Sequence, residues 1–218
     1  MTRRTKLPAH PGLLDRLTSR RLVAVTGKGG VGKTTLAAAL ARVLASRGRR
    51  ILLVEMDPRE NLHQLLDVPP SGGAVIKVGA RLWLENVQPV RVLEDLVRDP
   101  EQVAVVIATT AEEMPVQEAL ELIAGLRERL GRPPELLVVN GLYPPFPQQA
   151  GRVAVGGKTA LTLWRQRREV NERELERLAS AWPGPRVDLP LLALERGPAL
   201  AAALGERLVR ALQPAEVQ

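Results

Sequence analysis

Cysteine is absent from the 218 residues, which removes disulfides, thiolate zinc sites and a nucleophilic thiol from consideration. Aromatics are almost as scarce: three Trp, one Tyr and one Phe make 2% of the chain. The core therefore has to be built from Leu, Val, Ile and Ala, and there is no aromatic interleaving to stack on nucleic-acid bases. No apolar run approaches the roughly 18 residues that span a bilayer, and Met1–Lys6 is not followed by an apolar leader segment, so a cytoplasmic protein without a membrane span is expected. The formal net charge of +7 would suit a polyanion. The arginines, however, are spread along the chain among glutamates, as on a solvated surface, and a nucleic-acid partner is not expected. Lysine is rare, standing only at positions 6, 28, 33, 77 and 158 among 31 basic residues.

Two of those five lysines fall in one nine-residue stretch, Gly27-Lys28-Gly29-Gly30-Val31-Gly32-Lys33-Thr34-Thr35. It follows the apolar run Leu22–Thr26 and opens a Leu/Ala-rich segment. A strand, a glycine loop and a helix in that order aim several backbone N–H groups and a helix N-terminus at one point, which suits a triphosphate. Lys33 is then the charge for the β- and γ-phosphates of that triphosphate, and the Thr34 hydroxyl is the candidate ligand for Mg²⁺. Chance alone produces such a string in about one chain in a hundred of this size, before the strand-and-helix context is counted.

Apolar runs separated by helical periodicity continue along the chain. Strands are expected at Leu22–Thr26, Ile51–Val54, Leu82–Val87, Val103–Ala108, Leu136–Val139 and Arg186–Leu189. Helices are expected after the glycine loop, with Leu36, Leu40 and Leu44 inward and Gly48 at the C-terminal cap, and at 59–66 and 92–97. A further helix runs to Gly131, starting either at a Thr110/Glu113 capping box or at Pro115, and others cover Thr162–Ala181 and the Leu200/Leu204/Leu208/Leu212 stripe. The 162–181 helix, with Glu169/Arg173 and Glu174/Arg177 pairs, is read as a solvated outer face. Residues 1–20 read as a basic arm with a helical turn at Leu13–Leu17, 143–158 as a mobile proline- and glycine-rich loop, and 213–218 as a tail. Residues 21–212 then form one α/β domain, a P-loop NTPase whose mostly parallel, doubly wound sheet carries helices on both faces. At the end of the second strand, Asp57 reads two ways: as a carboxylate facing the γ-phosphate, or as the N-cap of the next helix with Pro58 first in line.

Lys28 makes the loop resemble the deviant phosphate loop K-G-G-x-G-K-[ST] of the ATPases that include the ArsA-type anion-transporting, tail-anchored-protein targeting, MinD and ParA groups. Within these the ArsA type is most similar. Val25–Leu36, Leu53–Pro58, Glu112–Glu118, Val138-Val139-Asn140 and Leu189–Leu192 resemble its blocks in order and cover most of residues 20–212. The resemblance implies a nucleotide-switched dimer, either a homodimer or a heterodimer with a related ATPase. It also implies that Lys28 reaches the partner's phosphates, that Asp57 positions the attacking water, that Asn140 reads adenine and that Pro190 flanks the base.

The chain departs from that pattern after Leu82–Val87. No D-x-x-P-T-G-H-like second switch occurs, so the sheet is expected to lack the strand that adjoins strand one, leaving a gap or an exposed edge. The magnesium-shell carboxylate is missing too, unless Glu55 or Glu85 replaces it. Without cysteine, neither an arsenite thiolate site nor a dimer zinc is possible. The readings that follow are an ArsA-type ATPase, an ATP-holding regulatory subunit without turnover, and a ParA-like positioning protein that uses its basic surface on DNA.

Overall fold

The computed structural model describes residues 12–56, 61–70, 72, 74–86, 101–145 and 155–213, without the side chains of 155–159. Its elements are α1 (Leu13–Ser19), β1 (Leu22–Thr26), α2 (Lys33–Ser46), β2 (Ile51–Glu55), α3 (Asn61–Leu66), β3 (Ile76–Gly79), β4 (Leu82–Asn86), β5 (Val103–Thr110), α4 (Glu113–Leu130), β6 (Leu136–Leu142), α5 (Val155–Ala181), β7 (Arg186–Pro190) and α6 (Pro198–Leu212).

Strands β1, β5, β6 and β7 form a four-stranded sheet in that order, every pair parallel. A parallel sheet needs cover on both faces, and the period-two alternation of its strands supplies apolar side chains to each. Ala104, Val106, Leu136, Val138, Val187 and Leu189 pack with the leucines of α1, α2 and α6. The residues between them, Ile107, Leu137 and Val139, meet Val116, Ile123, Leu178 and Trp182 of the α4 and α5 side. Each fully buried Leu or Val contributes about 1.5–3 kcal/mol.

The remaining strands make a second sheet, β2-β4-β3, with β2 parallel and β3 antiparallel to β4. Among the described residues β1 and β2 share no ladder, leaving a gap between them, while the shortened stretch itself, 87–100, lies outside those residues. Helix α2 bridges it, its leucines joining the first core and Ala38 and Ala41 joining Leu53, Leu82 and Leu84 in a smaller one with α3. The opposite face of the second sheet is open, with Leu52 48% and Val54 44% exposed.

Several expectations need correction. The helical turn expected at Leu13–Leu17 is present as α1, but it is no free arm: Leu13, Leu14 and Leu17 are buried against α2 and α6, because three leucines on one short helix have an apolar groove within reach. Helix α4 starts at Glu113, with Glu112 as N-cap and no side-chain capping bond, while Thr110 still belongs to β5, so the capping box does not form. Strand β6 runs past Asn140 to Leu142, where Gly141 at φ 72° allows a register shift. Strand β3 was not expected at all.

Helix α5 begins at Val155, inside the expected loop, of which 146–154 lie outside the described residues. Nor is its face wholly solvated. Buried Asn171 accepts a bond from the Tyr143 N–H and donates to the Ala111 carbonyl, both at 2.9 Å, tying the helix to the ends of β5 and β6. Glu174, also buried, meets Arg177 at 3.4 Å and draws Arg173 to 3.6 Å. The expected helix at 92–97, the start of the one at 59–66 and residues 214–218 lie outside the described residues. Among those described, no helix is long and apolar enough to cross a membrane.

Candidate functional site

The glycine loop sits over the C-terminal ends of β1, β5 and β6, and its glycines are there for steric reasons. Gly27, at φ 141°, lies so close to the Ala108 carbonyl of β5 that a Cβ would collide with it. Gly32, at φ 88°, is the N-cap of α2 and leaves no room for a Cβ beside the Asn140 amide. Only glycine takes both the left-handed backbone and the close approach. Val31 between them is buried and anchors the loop in the main core.

Helix α2 opens at Lys33 with no side-chain cap on its N–H groups and no acidic residue in its first turn. The first three or four N–H groups of a 14-residue helix thus point outward with their partial positive charge uncompensated, the arrangement that binds phosphate. Lys33 Nζ donates to the Lys28 carbonyl at 2.7 Å, so its ammonium lies across the mouth of the loop, and Thr34 sits half-buried in the first turn beside it. The Lys33 ammonium beside helix amides that have no acidic residue in their first turn fits a polyphosphate. Thr34 adds a hydroxyl beside them, and among the described residues there is no group of three or more His, Asp or Glu side chains that could hold a metal ion.

Asn140, near the end of β6, donates from Nδ2 to the Val31 carbonyl at 3.2 Å. In this structure it buttresses the loop from behind, next to Gly32. Pro190 ends β7 one strand over, opposite Leu142, and the following Leu191 N–H donates to the Leu142 carbonyl at 2.7 Å. Asn140 and Pro190 therefore share one rim of the sheet with the glycine loop. Asp57 lies outside the described residues. Glu55, just before it, is 6% exposed, and its Oε2 accepts the Leu62 N–H at 2.9 Å, so that oxygen caps α3. Glu85 lies on β4, two strands beyond the gap from β1.

One partner escaped the sequence reading. Lys28 Nζ meets Glu118 Oε1 of α4 at 2.6 Å, both side chains a little over a third exposed. Nothing local announces this pair, since 90 residues separate the two and Glu118 reads as one more polar position beside the apolar stripe of α4.

A sequence profile described as the CobQ/CobB/MinD/ParA nucleotide binding domain matches residues 22–163. The chain is 58% identical over 67 residues to ATPase BagA of Mycobacterium tuberculosis, a stretch that covers 31% of this chain and 20% of that protein. It is 35% identical over 72 residues to the putative arsenical pump-driving ATPase 1 of Aquifex aeolicus, covering 31% and 18%. It is 32% identical over 166 residues to the chromosome-partitioning ATPase Soj of Thermus thermophilus, covering 72% of this chain and 67% of Soj. The matched stretch thus spans about a fifth of the mycobacterial relative and two thirds of Soj.

Proposed function

The chain belongs to the CobQ/CobB/MinD/ParA family of nucleotide-binding domains, and from that premise we propose that it is a cytoplasmic, Mg²⁺-dependent ATPase of the ArsA type acting as a nucleotide-switched dimer. The observation that carries this reading is the uncapped, acid-free N-terminus of α2 with the Lys33 ammonium lying across it. Lys33 and the loop N–H groups hold the β- and γ-phosphates of ATP, and Thr34 holds Mg²⁺ through its hydroxyl. When bound, that ion neutralises phosphate charge. Asp57 orients the water for in-line attack. Lys28 leaves Glu118 to reach the phosphates of a second subunit, a homologous or related copy, and stabilises charge on the transferred group. Asn140 and Pro190, on the same rim, border the adenine.

The test is steady-state phosphate release by the wild type, Lys33→Ala and Asp57→Asn. The reading expects turnover in the first and a loss of on the order of 10²–10³-fold in each variant; equal rates in all three refute it. A second reading, a regulatory subunit that holds ATP without turning it over, is favoured by β1 and β2 sharing no ladder among the described residues and by a Glu55 oxygen being taken up as a helix cap. It expects tight nucleotide binding with no phosphate release.

A further inference from the structure

Two hydrogen bonds meet on one peptide group at the start of α3. The Leu62 N–H donates to Glu55 Oε2 at 2.9 Å, and the Asn61 carbonyl of the same peptide accepts a bond from the Arg196 guanidinium at 3.4 Å. The two side chains come from different halves of the molecule. Glu55 is buried and ends β2 of the second sheet. Arg196 is exposed and stands 135 positions from Asn61, between the end of β7 at Pro190 and the start of α6 at Pro198, so it is carried by the four-stranded sheet.

Apolar packing brings α3 to the same place. Leu62 and Leu65 are buried in the smaller core with Ala201 of α6 and with Ala38 and Ala41 of α2. Such burial is non-directional, whereas hydrogen bonds fix the orientation of the groups that make them. The doubly bonded peptide therefore sets the rotation and height of the first turn of α3. Stability is a poor explanation for Arg196. An exposed arginine contributes little to folding and gives up side-chain freedom to hold one geometry, and α3 is buried without it. Among the described residues the Asn61 carbonyl is its one polar contact.

Chain connectivity supplies a better reason. The Glu55–Leu62 bond joins two residues seven positions apart, and Asp57 falls between them in sequence. Arg196 anchors that closed run to the half of the molecule on which the glycine loop is mounted. We propose that Arg196 is a positioning residue for ATP turnover: by holding the Asn61 carbonyl it registers α3, and with Glu55 the run that includes Asp57, against the nucleotide-binding half. The inference rests on the ATPase reading above and adds a link between the two halves. A guanidinium suits the task because its N–H donors are fixed in a plane and its charge does not titrate.

The test compares the full chain as wild type, Arg196→Met, Arg196→Lys and Arg207→Met, the last an exposed arginine of α6 that serves as control. Phosphate release gives kcat and KM for Mg·ATP, calorimetry gives affinity, and hydrogen exchange reports on α3. Arg196→Met should lower kcat by about 10- to 100-fold, the effect of misplacing a reacting group by about 1 Å, while KM and affinity stay within about threefold. Exchange should quicken by at least about tenfold in 61–66 and stay unchanged in 33–46. Arg196→Lys keeps a charged donor and should recover part of kcat, and Arg207→Met should match the wild type throughout. Wild-type kcat in Arg196→Met overturns the inference and leaves the ATPase reading standing. So does a loss carried by affinity instead of kcat, or unchanged exchange in 61–66. A kcat loss that tracks a lowered denaturation midpoint makes the role merely structural and overturns it as well. No phosphate release from the wild type overturns both.

Discussion

The two sheets of this molecule are made of the same kind of strand and end in different states. The β1-β5-β6-β7 sheet is covered on both faces, by α1, α2 and α6 on one and by α4 and α5 on the other. The β2-β4-β3 sheet has α2 and α3 on one face and solvent over Leu52 and Val54 on the other. Apart from Asp57, every candidate nucleotide residue is mounted on the finished half: Gly27 against β5, Val31 and Asn140 at β6, Pro190 on β7. Phosphate binding needs a rigid frame for backbone amides, and the finished half provides it. Asp57, to which the proposed mechanism gives the attacking water, follows β2 of the unfinished half in sequence, so the proposed binding and the proposed turnover rest on different halves.

That contrast is broken or sharpened by substitution. Leu208 of α6 is fully buried in the main core, so Leu208→Ala should cost about 2–5 kcal/mol in denaturant unfolding. Leu52→Ala on the open face of β2 should stay below about 1 kcal/mol. Comparable losses at the two sites would mean that the second sheet is as well covered as the first. Next in size, Gly32→Val places a β-branched side chain at φ 88° against Asn140 and should weaken ATP binding by at least about tenfold, or 1.4 kcal/mol, as read by equilibrium dialysis.

Asn140→Ala removes the bond to the Val31 carbonyl and should cost about 1 kcal/mol in nucleotide affinity, with little change in global stability. Glu118→Gln should hardly alter stability, since exposed ion pairs contribute about 0–1 kcal/mol, but it frees Lys28 and should favour the nucleotide-dependent dimer in sedimentation. No change in dimer fraction would remove Glu118 from the switch.

The smallest effect concerns Asp188 of β7, whose carboxyl is raised from its ordinary value of 3.8 by burial, with Arg186 pulling it back. A carboxyl that binds its proton more tightly when folded contributes stability below the unfolded value, and that contribution is lost as pH rises through the folded one. Asp188→Asn should therefore flatten the acid end of the stability profile, the variant gaining on the wild type as pH climbs from about 3.8. Parallel profiles would contradict this.

Much of this was legible before any coordinates. The glycine loop declared itself because phosphate binding leaves few residue choices, and the buried strands did so because parallel strands are apolar on both faces. Strand β3 was missed because four residues after a glycine-rich turn carry almost no periodic signal. Helix α5 misled because its charge hides two buried side chains: Asn171, held by long-range bonds to the ends of β5 and β6, and Glu174, paired with Arg177 and Arg173 of its own helix. The Lys28–Glu118 pair is invisible locally, since only the packing of α4 beside the loop brings the two together. Arg20 and Arg21 before β1 and Arg49 and Arg50 before β2 read as surface charge until α2 brings the two pairs to one rim.

The central claim is that the loop at the head of α2 grips a nucleotide, and calorimetric titration with Mg·ATP tests it most directly. The account predicts saturable heat for the wild type with one nucleotide per chain, and none for Lys33→Ala. No heat from the wild type, or equal heat from both, would contradict it.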